Sequence, residues 1–504
     1  MQRKSDRLLG CIAPWRGAAL SRMDSHQQHL RRGFNWLGSA MIIAKLTDFG
    51  TILVVLRLLT KEQVGAASLV VAFGTVIEAL DGLGTSTALV QAPSLSRLQL
   101  DSLFWFIVGA ACVAAGLVLL AAPWIASLYG IAAVAAYFLA VAIKQPLVAA
   151  AVIPLAIMNR ELQYERIAIV NVGATFASAL TRLGLAIVGA GAWAIVIAYA
   201  ASGLFTLIGA LLARPFRPRL QISTSAISSL LHFGWRATLS ALCETMINNV
   251  HYLLVGWFYG AAALAEFRVA FDLAMEPANA AGTLINRTAL PVFAKVAAVR
   301  DHLAQSLTWS LRRLLAVVAP FAAAIVLAAD PITALIRDEQ HRSYASASLP
   351  LKLLAAAAVL RVVSQLAYPV MFGSGRPQMA VRLSATTLLL LSTGMLLVGL
   401  TVPVASGIVA MSAVWLVVPP LLLLWQARYL RRFCTIGAQD LLRASGAPFV
   451  AVAILVATVE VGRVLIGSGS PVLELGLILT LAVLACLGLL LREPRRDYRA
   501  ATSR

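Results

Sequence analysis

The sequence predicts an all-α polytopic membrane protein: about fourteen transmembrane helices in two six-helix lobes plus a C-terminal helix pair, with both termini cytoplasmic. Three observations lead there. Of 504 residues, 60% are hydrophobic and only 12% charged, where a soluble domain carries about 25% charged residues. Apolar runs of about 20 residues, the length that crosses a bilayer as a helix, recur from one end of the chain to the other. Lys and Arg gather in every second connection between those runs, as cytoplasmic loops do.

The spans fall near 34–58, 64–91, 101–122, 131–158, 167–189 and 191–213 in a first series. A second follows at 229–258, 261–290, 314–336, 349–372, 378–402 and 404–427, and a last pair at 446–467 and 472–491. The basic connections hold Arg97; Arg160 and Arg166; Arg214, Arg217 and Arg219; Lys295, Arg300, Arg312 and Arg313; Arg376 and Arg382; and Arg428, Arg431, Arg432 and Arg443. The intervening ones hold only Lys61, Arg337, Arg342 and Lys352. One span more or fewer would scramble this alternation. The expected organisation is a basic cytoplasmic tail (1–33), an N-lobe (34–213), a cytoplasmic linker (214–228), a C-lobe (229–427), a cytoplasmic loop (428–445), the terminal pair (446–491) and a second basic tail (492–504). A weak repeat at an offset of about 200 residues sets Trp36 against Trp235 and Gly65 against Ala265. Two six-span halves then run in the same sense and can rock about a central cavity.

The net charge of +19 is the positive-inside bias plus attraction to anionic headgroups, and it calls for no nucleic acid. The string ending at Cys11 follows too short an apolar stretch for a signal peptide, and Met23 is an alternative start. The five cysteines are far apart and read as apolar packing residues. No phosphate-binding glycine loop and no metal-ligand spacing occurs; neither an enzyme nor a cofactor is expected.

Two spans carry ionisable groups in ladders. Residues 229–258 hold Arg236, Ser240, Glu244, Asn248 and His251; residues 261–290 hold Arg268, Asp272, Glu276, Asn279, Thr283 and Arg287. A charge inside a bilayer costs about 2.5 to 3.5 kcal/mol on insertion scales, so such rows persist where they face water or each other. The ladders predict a polar cavity, and with it the movement of something polar across a membrane.

RLLTKEQVGAASLVVAF (57–73), DGLGTSTALVQ (81–91), LDSLFWFIVG (100–109), MNRELQYERIA (158–168) and HYLLVGWFYGAAALAEFRVAFDLA (251–274) together resemble the polysaccharide-exporting flippases, the Wzx-type branch of the multidrug/oligosaccharidyl-lipid/polysaccharide superfamily. The resemblance runs from about residue 34 to residue 385. It implies a bacterial inner-membrane transporter that turns undecaprenyl-pyrophosphate-linked oligosaccharide repeat units from the cytoplasmic to the periplasmic leaflet for exopolysaccharide or lipopolysaccharide biosynthesis. Alternating access coupled to an ion gradient is implied too. The implied partners are the lipid-linked oligosaccharide, membrane lipids, and the polymerase and chain-length or export proteins of the pathway. Where the family often carries Asp this chain has His251, and where it often carries Arg it has Asp272. Rival readings are a cation-coupled multidrug exporter of the same superfamily, a membrane polysaccharide polymerase or ligase, and a cell-wall lipid precursor flippase.

A pyrophosphate needs cationic donors, and Arg offers a planar fork matched to its oxygens. The candidate substrate-binding residues are Arg236, Arg287, Arg361, Lys144, Arg57 and Arg268, against the competing reading that those near span ends snorkel to the interface and that Lys144 and Arg361, at mid-span, form internal pairs. The candidate ion-coupling residues are Asp272, Glu276, Glu244, His251, Glu78 and Asp81. Glu78 and Asp81 share a face with no local cation, so repulsion and burial would raise a carboxyl pKa, unless a neighbouring span supplies a cation. Arg268 and Asp272 are spaced as an i, i+4 pair, as Lys45 and Asp48 are at i, i+3. His251 and Asp272 lie at matching depth on adjacent antiparallel spans, which predicts a contact between them.

Overall fold

The computed structural model describes residues 43–44, 47–48, 50–81, 89, 95–296, 300–373, 377–430, 438–466 and 471–491. Both tails and about half of the first expected span lie outside them. In lipid every backbone polar group must be satisfied within its own segment, so apolar spans become helices. The described residues form α1 (50–58), α2 (Lys61–Asp81), α3 (Arg97–Tyr129), α4 (Ala133–Arg160), α5 (Tyr164–Ile187) and α6 (Trp193–Ala213). There follow α7 (Thr224–Val296), α8 (Arg300–Leu335), α9 (Ser348–Gln365), α10 (Ala367–Gly373), α11 (Pro377–Thr401), α12 (Val404–Leu430), α13 (Ala438–Ile466) and α14 (Pro471–Leu491).

Twelve of the described helical segments are long and apolar enough to cross a membrane. One of the twelve is two spans. At Gly260 the backbone of α7 takes φ 81° and ψ 179°, a conformation that glycine alone adopts without strain. The Tyr252 hydroxyl reaches Asp272 across the bend, so the two arms of α7 run antiparallel. Local signals set other ends: Ser96 and Gln99 form a capping box ahead of α3, and Gly130, left-handed at φ 66°, closes its far end.

The main core joins α2 and α4 to both arms of α7 and to α8, α9, α11 and α12. The last two helices dock on α8, where Leu455, Val459, Ile478 and Ala482 cover Ala324 and Ala328. Large apolar side chains such as Leu120, Trp124 and Leu400 stand exposed on the outer surface, the arrangement that lipid rather than water requires.

Candidate functional site

The bend at Gly260 sets the two polar ladders face to face. From the first arm Glu244, Asn248 and Tyr252, from the second Arg268, Asp272 and Glu276, and from α9 Arg361 and Gln365 line a cavity of about 400 Å³. Asp272 accepts hydrogen bonds from the Tyr252 hydroxyl at 2.7 Å and from Arg268 Nε at 3.3 Å. The Arg268 guanidinium also lies 5.4 Å from the centre of the Tyr252 ring, closing a three-residue cluster. Arg361 is buried, donates to Asn248 Oδ1 and sits 4.8 Å from the centre of a Trp415 ring. Its Nη1 has no hydrogen-bond partner. A buried cation with an unused donor costs free energy unless anionic groups or a ligand answer it, and Glu244 and Glu276 share its cavity.

A second cavity of about 240 Å³ shares Arg268 and Asp272 with the first and extends between α1, α2, α5 and α6. Arg182 of α5 donates to the Asp48 carboxylate there at 2.6 Å. Nearby, Lys144 pairs with Glu78 at 2.7 Å, Tyr199 donates to the same carboxylate, and the ammonium lies 3.5 Å from the centre of the Tyr199 ring.

On the side away from the basic loops the two halves are sealed. Lys61 at the start of α2 binds Glu266 of α7 at 2.6 Å and the Ser343 carbonyl at 2.8 Å. Residues 336–344 fold back on themselves through an Arg337–Ser343 bridge and a Tyr344 N–H to Ile336 carbonyl bond. From that turn Arg342 reaches Glu62 with both terminal nitrogens, at 2.8 and 2.7 Å, and Asp338 through Nε at 2.8 Å. The Glu62 and Asp338 carboxylates hold the guanidinium charged well above its ordinary range. The Glu339 N–H adds a bond to the Leu59 carbonyl. Beneath them the backbones touch: a Cβ on Gly65 would lie 1.8 Å from the Ala261 carbonyl oxygen.

Several expectations need correction. His251 does not meet Asp272. It is wholly buried, stacked at 3.9 Å on Phe271 with Tyr252, Phe267 and Trp415 around it, and neither ring nitrogen has a hydrogen-bond partner. His251 does lie level with Phe271, one residue from Asp272. Its direction differs: consecutive helical residues point about 100° apart, and the cavity row climbs through Glu244, Asn248 and Tyr252. Lys144 faces Glu78 and Tyr199 rather than either cavity's lumen, and that pairing supplies the cation which the local sequence lacks. Asp48 takes Arg182, from a span 134 residues away; Lys45 lies outside the described residues. Arg57 is exposed and lines neither cavity. The expected Arg268–Asp272 pair is present. The side chains of Asp81, Arg236 and Arg287 lie outside the described residues. Sequence reasoning passed over Tyr252, although it continues the fourfold spacing of its ladder, and Arg182 and the Lys61, Glu62 and Arg342 seal, whose partners are too distant in sequence to be read.

This helical fold, with a polar cavity in its second half joined to one that reaches the first half, is that of membrane transporters. The structure resembles a solved lipid II flippase MurJ in an inward closed conformation, with TM-score 0.73 and 12% identity over 90% of this chain and 97% of that one. It also resembles an inward-facing multidrug resistance MATE family transporter of the MOP superfamily, with TM-score 0.59 and 14% identity over 78% and 94%. The chain belongs to the polysaccharide biosynthesis protein family, whose model matches residues 54–346. It is 24% identical over 275 residues to the lipopolysaccharide biosynthesis protein WzxC of Escherichia coli (strain K12), covering 52% of this chain and 54% of that protein. It is 22% identical over 296 residues to the succinoglycan biosynthesis transport protein ExoT of Rhizobium meliloti (strain 1021), covering 58% and 60%. The matches thus span little more than half the length of these two relatives.

Proposed function

We propose that this protein is a flippase for undecaprenyl-pyrophosphate-linked oligosaccharide repeat units, carrying them from the cytoplasmic to the periplasmic leaflet of the bacterial inner membrane by alternating access. The observation that carries the reading is the polar cavity lined by Arg268, Arg361, Glu244 and Glu276 of the second half, continuous at Arg268 and Asp272 with a second cavity that reaches the first half; ion pairs join the two halves on one side. By the positive-inside bias the side bearing the Lys- and Arg-rich loops is taken as cytoplasmic, which puts the seal on the periplasmic side.

Arg361 is the cation that would meet the pyrophosphate, because it lines the cavity with one guanidinium nitrogen unpartnered, whereas Arg268 is already bonded to Asp272. Of the candidate coupling carboxylates, Glu244 and Glu276 share a cavity with a buried arginine, so a proton or cation taken up there changes the balance that holds it.

The test is deletion of the gene in its host. Lipid-linked repeat units should accumulate on the cytoplasmic face while surface or secreted polymer is lost, and plasmid-borne wild type should restore it. Unchanged polymer together with new drug susceptibility would replace this reading with a multidrug exporter.

A further inference from the structure

The smaller cavity is not explained by carriage of a charged lipid headgroup. It reaches Val64, three residues from Lys61 of the seal, and joins the central cavity at Arg268 and Asp272. Its volume of about 240 Å³ holds roughly eight waters at about 30 Å³ each, or a sugar ring with its hydroxyls.

Its charges cancel. Asp48 and Asp272 stand against Arg182 and Arg268, each acid bonded to a guanidinium. A phosphate or a cation entering such a set meets as much repulsion as attraction. What remains is hydrogen-bonding capacity. Ser68, Ser178 and Ser202 line the same space, and each donates its proton to a backbone carbonyl, of Val64, Ala198 and Tyr199 respectively. Their oxygens are therefore turned toward accepting. Arg182 supplies the complement: its buried Nε–H has no acceptor, and a ligand hydroxyl would provide one. Leu53, Leu56 and Val71 add apolar wall. Donors, acceptors and apolar patches with no net charge match a sugar ring, which presents hydroxyls that donate and accept along with C–H faces.

We propose that this cavity is the saccharide subsite: the sugar farthest from the lipid sits among Ser68, Ser178, Ser202 and the Asp48–Arg182 pair, while the pyrophosphate end remains in the central cavity. The inference rests on the transport reading above and adds to it the residues that recognise the glycan rather than the carrier.

The experiment measures binding to the purified full-length protein in nanodiscs with two probes: lipid-linked repeat units extracted from a deletion strain of its own host, and bare undecaprenyl pyrophosphate. Ser178→Leu and Ser202→Leu fill the cavity; a Ser68→Ala, Ser178→Ala, Ser202→Ala triple variant removes the acceptors with little change in volume and carries the same comparison if the Leu variants fail to fold. Affinity for the repeat-unit carrier should fall about tenfold or more, the effect of one or two lost hydrogen bonds, while bare carrier binds within about twofold of wild type. Folded variants that lose both probes equally, or neither, overturn the subsite and leave the transport reading standing. Wild type that binds neither probe overturns both.

Discussion

The seal and the central cavity handle charge in opposite ways. In the seal, Lys61, Glu266, Glu62, Asp338 and Arg342 meet in pairs at 2.6 to 2.7 Å, and they join segments from both halves of the chain. In the cavity, Arg361 is buried with one nitrogen unpartnered and carboxylates stand near it rather than on it. Exposed pairs such as Arg342–Glu62 each contribute little to stability and break easily, which suits a contact that must open in every cycle. A buried, incompletely answered cation is costly to keep, which suits a group whose full set of partners arrives with a ligand. The contrast separates residues that set a conformational equilibrium from residues that meet cargo.

Arg361→Ala offers the hardest test of that contrast. If Arg361 meets the pyrophosphate, alanine removes a charge-assisted contact of about 1.5 to 3 kcal/mol, so transport of repeat units into proteoliposomes should fall about 10- to 100-fold. Arg361→Lys should recover part of it, keeping charge and losing the fork. An alanine variant that folds and transports normally would make Arg361 a packing residue.

Gly65→Ala comes next. With a carbonyl 1.8 Å from the new Cβ, α2 and the second arm of α7 must separate. Labelling of a Ser68→Cys reporter by an impermeant thiol reagent added from the seal side, in a background with the native cysteines replaced, should then accelerate about tenfold as the sealed population falls. Unchanged labelling would show that the seal does not depend on this backbone contact.

A smaller effect is expected from charge reversal. Glu62→Arg sets two guanidiniums together and should raise the same labelling rate a fewfold, with the increase reduced at high salt because these side chains are exposed. Pairing it with Arg342→Glu should return the rate toward wild type, although Asp338 then faces a carboxylate and recovery stays partial. A double variant no better than the single one would show that the pair does not hold the seal.

The smallest effect should come from His251→Phe. The imidazole makes no hydrogen bond and lies in a ring of aromatic side chains; replacing an unpartnered polar group by an apolar one of similar shape is near neutral or stabilising. Transport should stay within about twofold of wild type, with a melting temperature equal or slightly higher. A large loss of transport would return His251 to the list of coupling groups.

The sequence by itself determined the membrane-spanning helices, because a run of about 20 apolar residues in lipid has one way to satisfy its backbone. It determined the bend between the two charged spans to within a residue or two of Gly260, and the Arg268–Asp272 pair, since contacts four residues apart on a helix are fixed by pitch. It also marked Glu244, Glu276 and Arg361 as groups in need of a polar space, because their cost in lipid does not depend on the fold. Tertiary structure alone decided partners. Whether Glu78 meets Lys144, whether Asp48 meets Arg182, and whether His251 or Tyr252 reaches Asp272 depends on helix rotation and on which spans are neighbours, and a rotation of about 100° moves a side chain from the cavity to the core. The seal was hidden for the same reason: Lys61 and Ser343 are separated by 282 residues, and only the packing of both halves around α7 brings the two connections together.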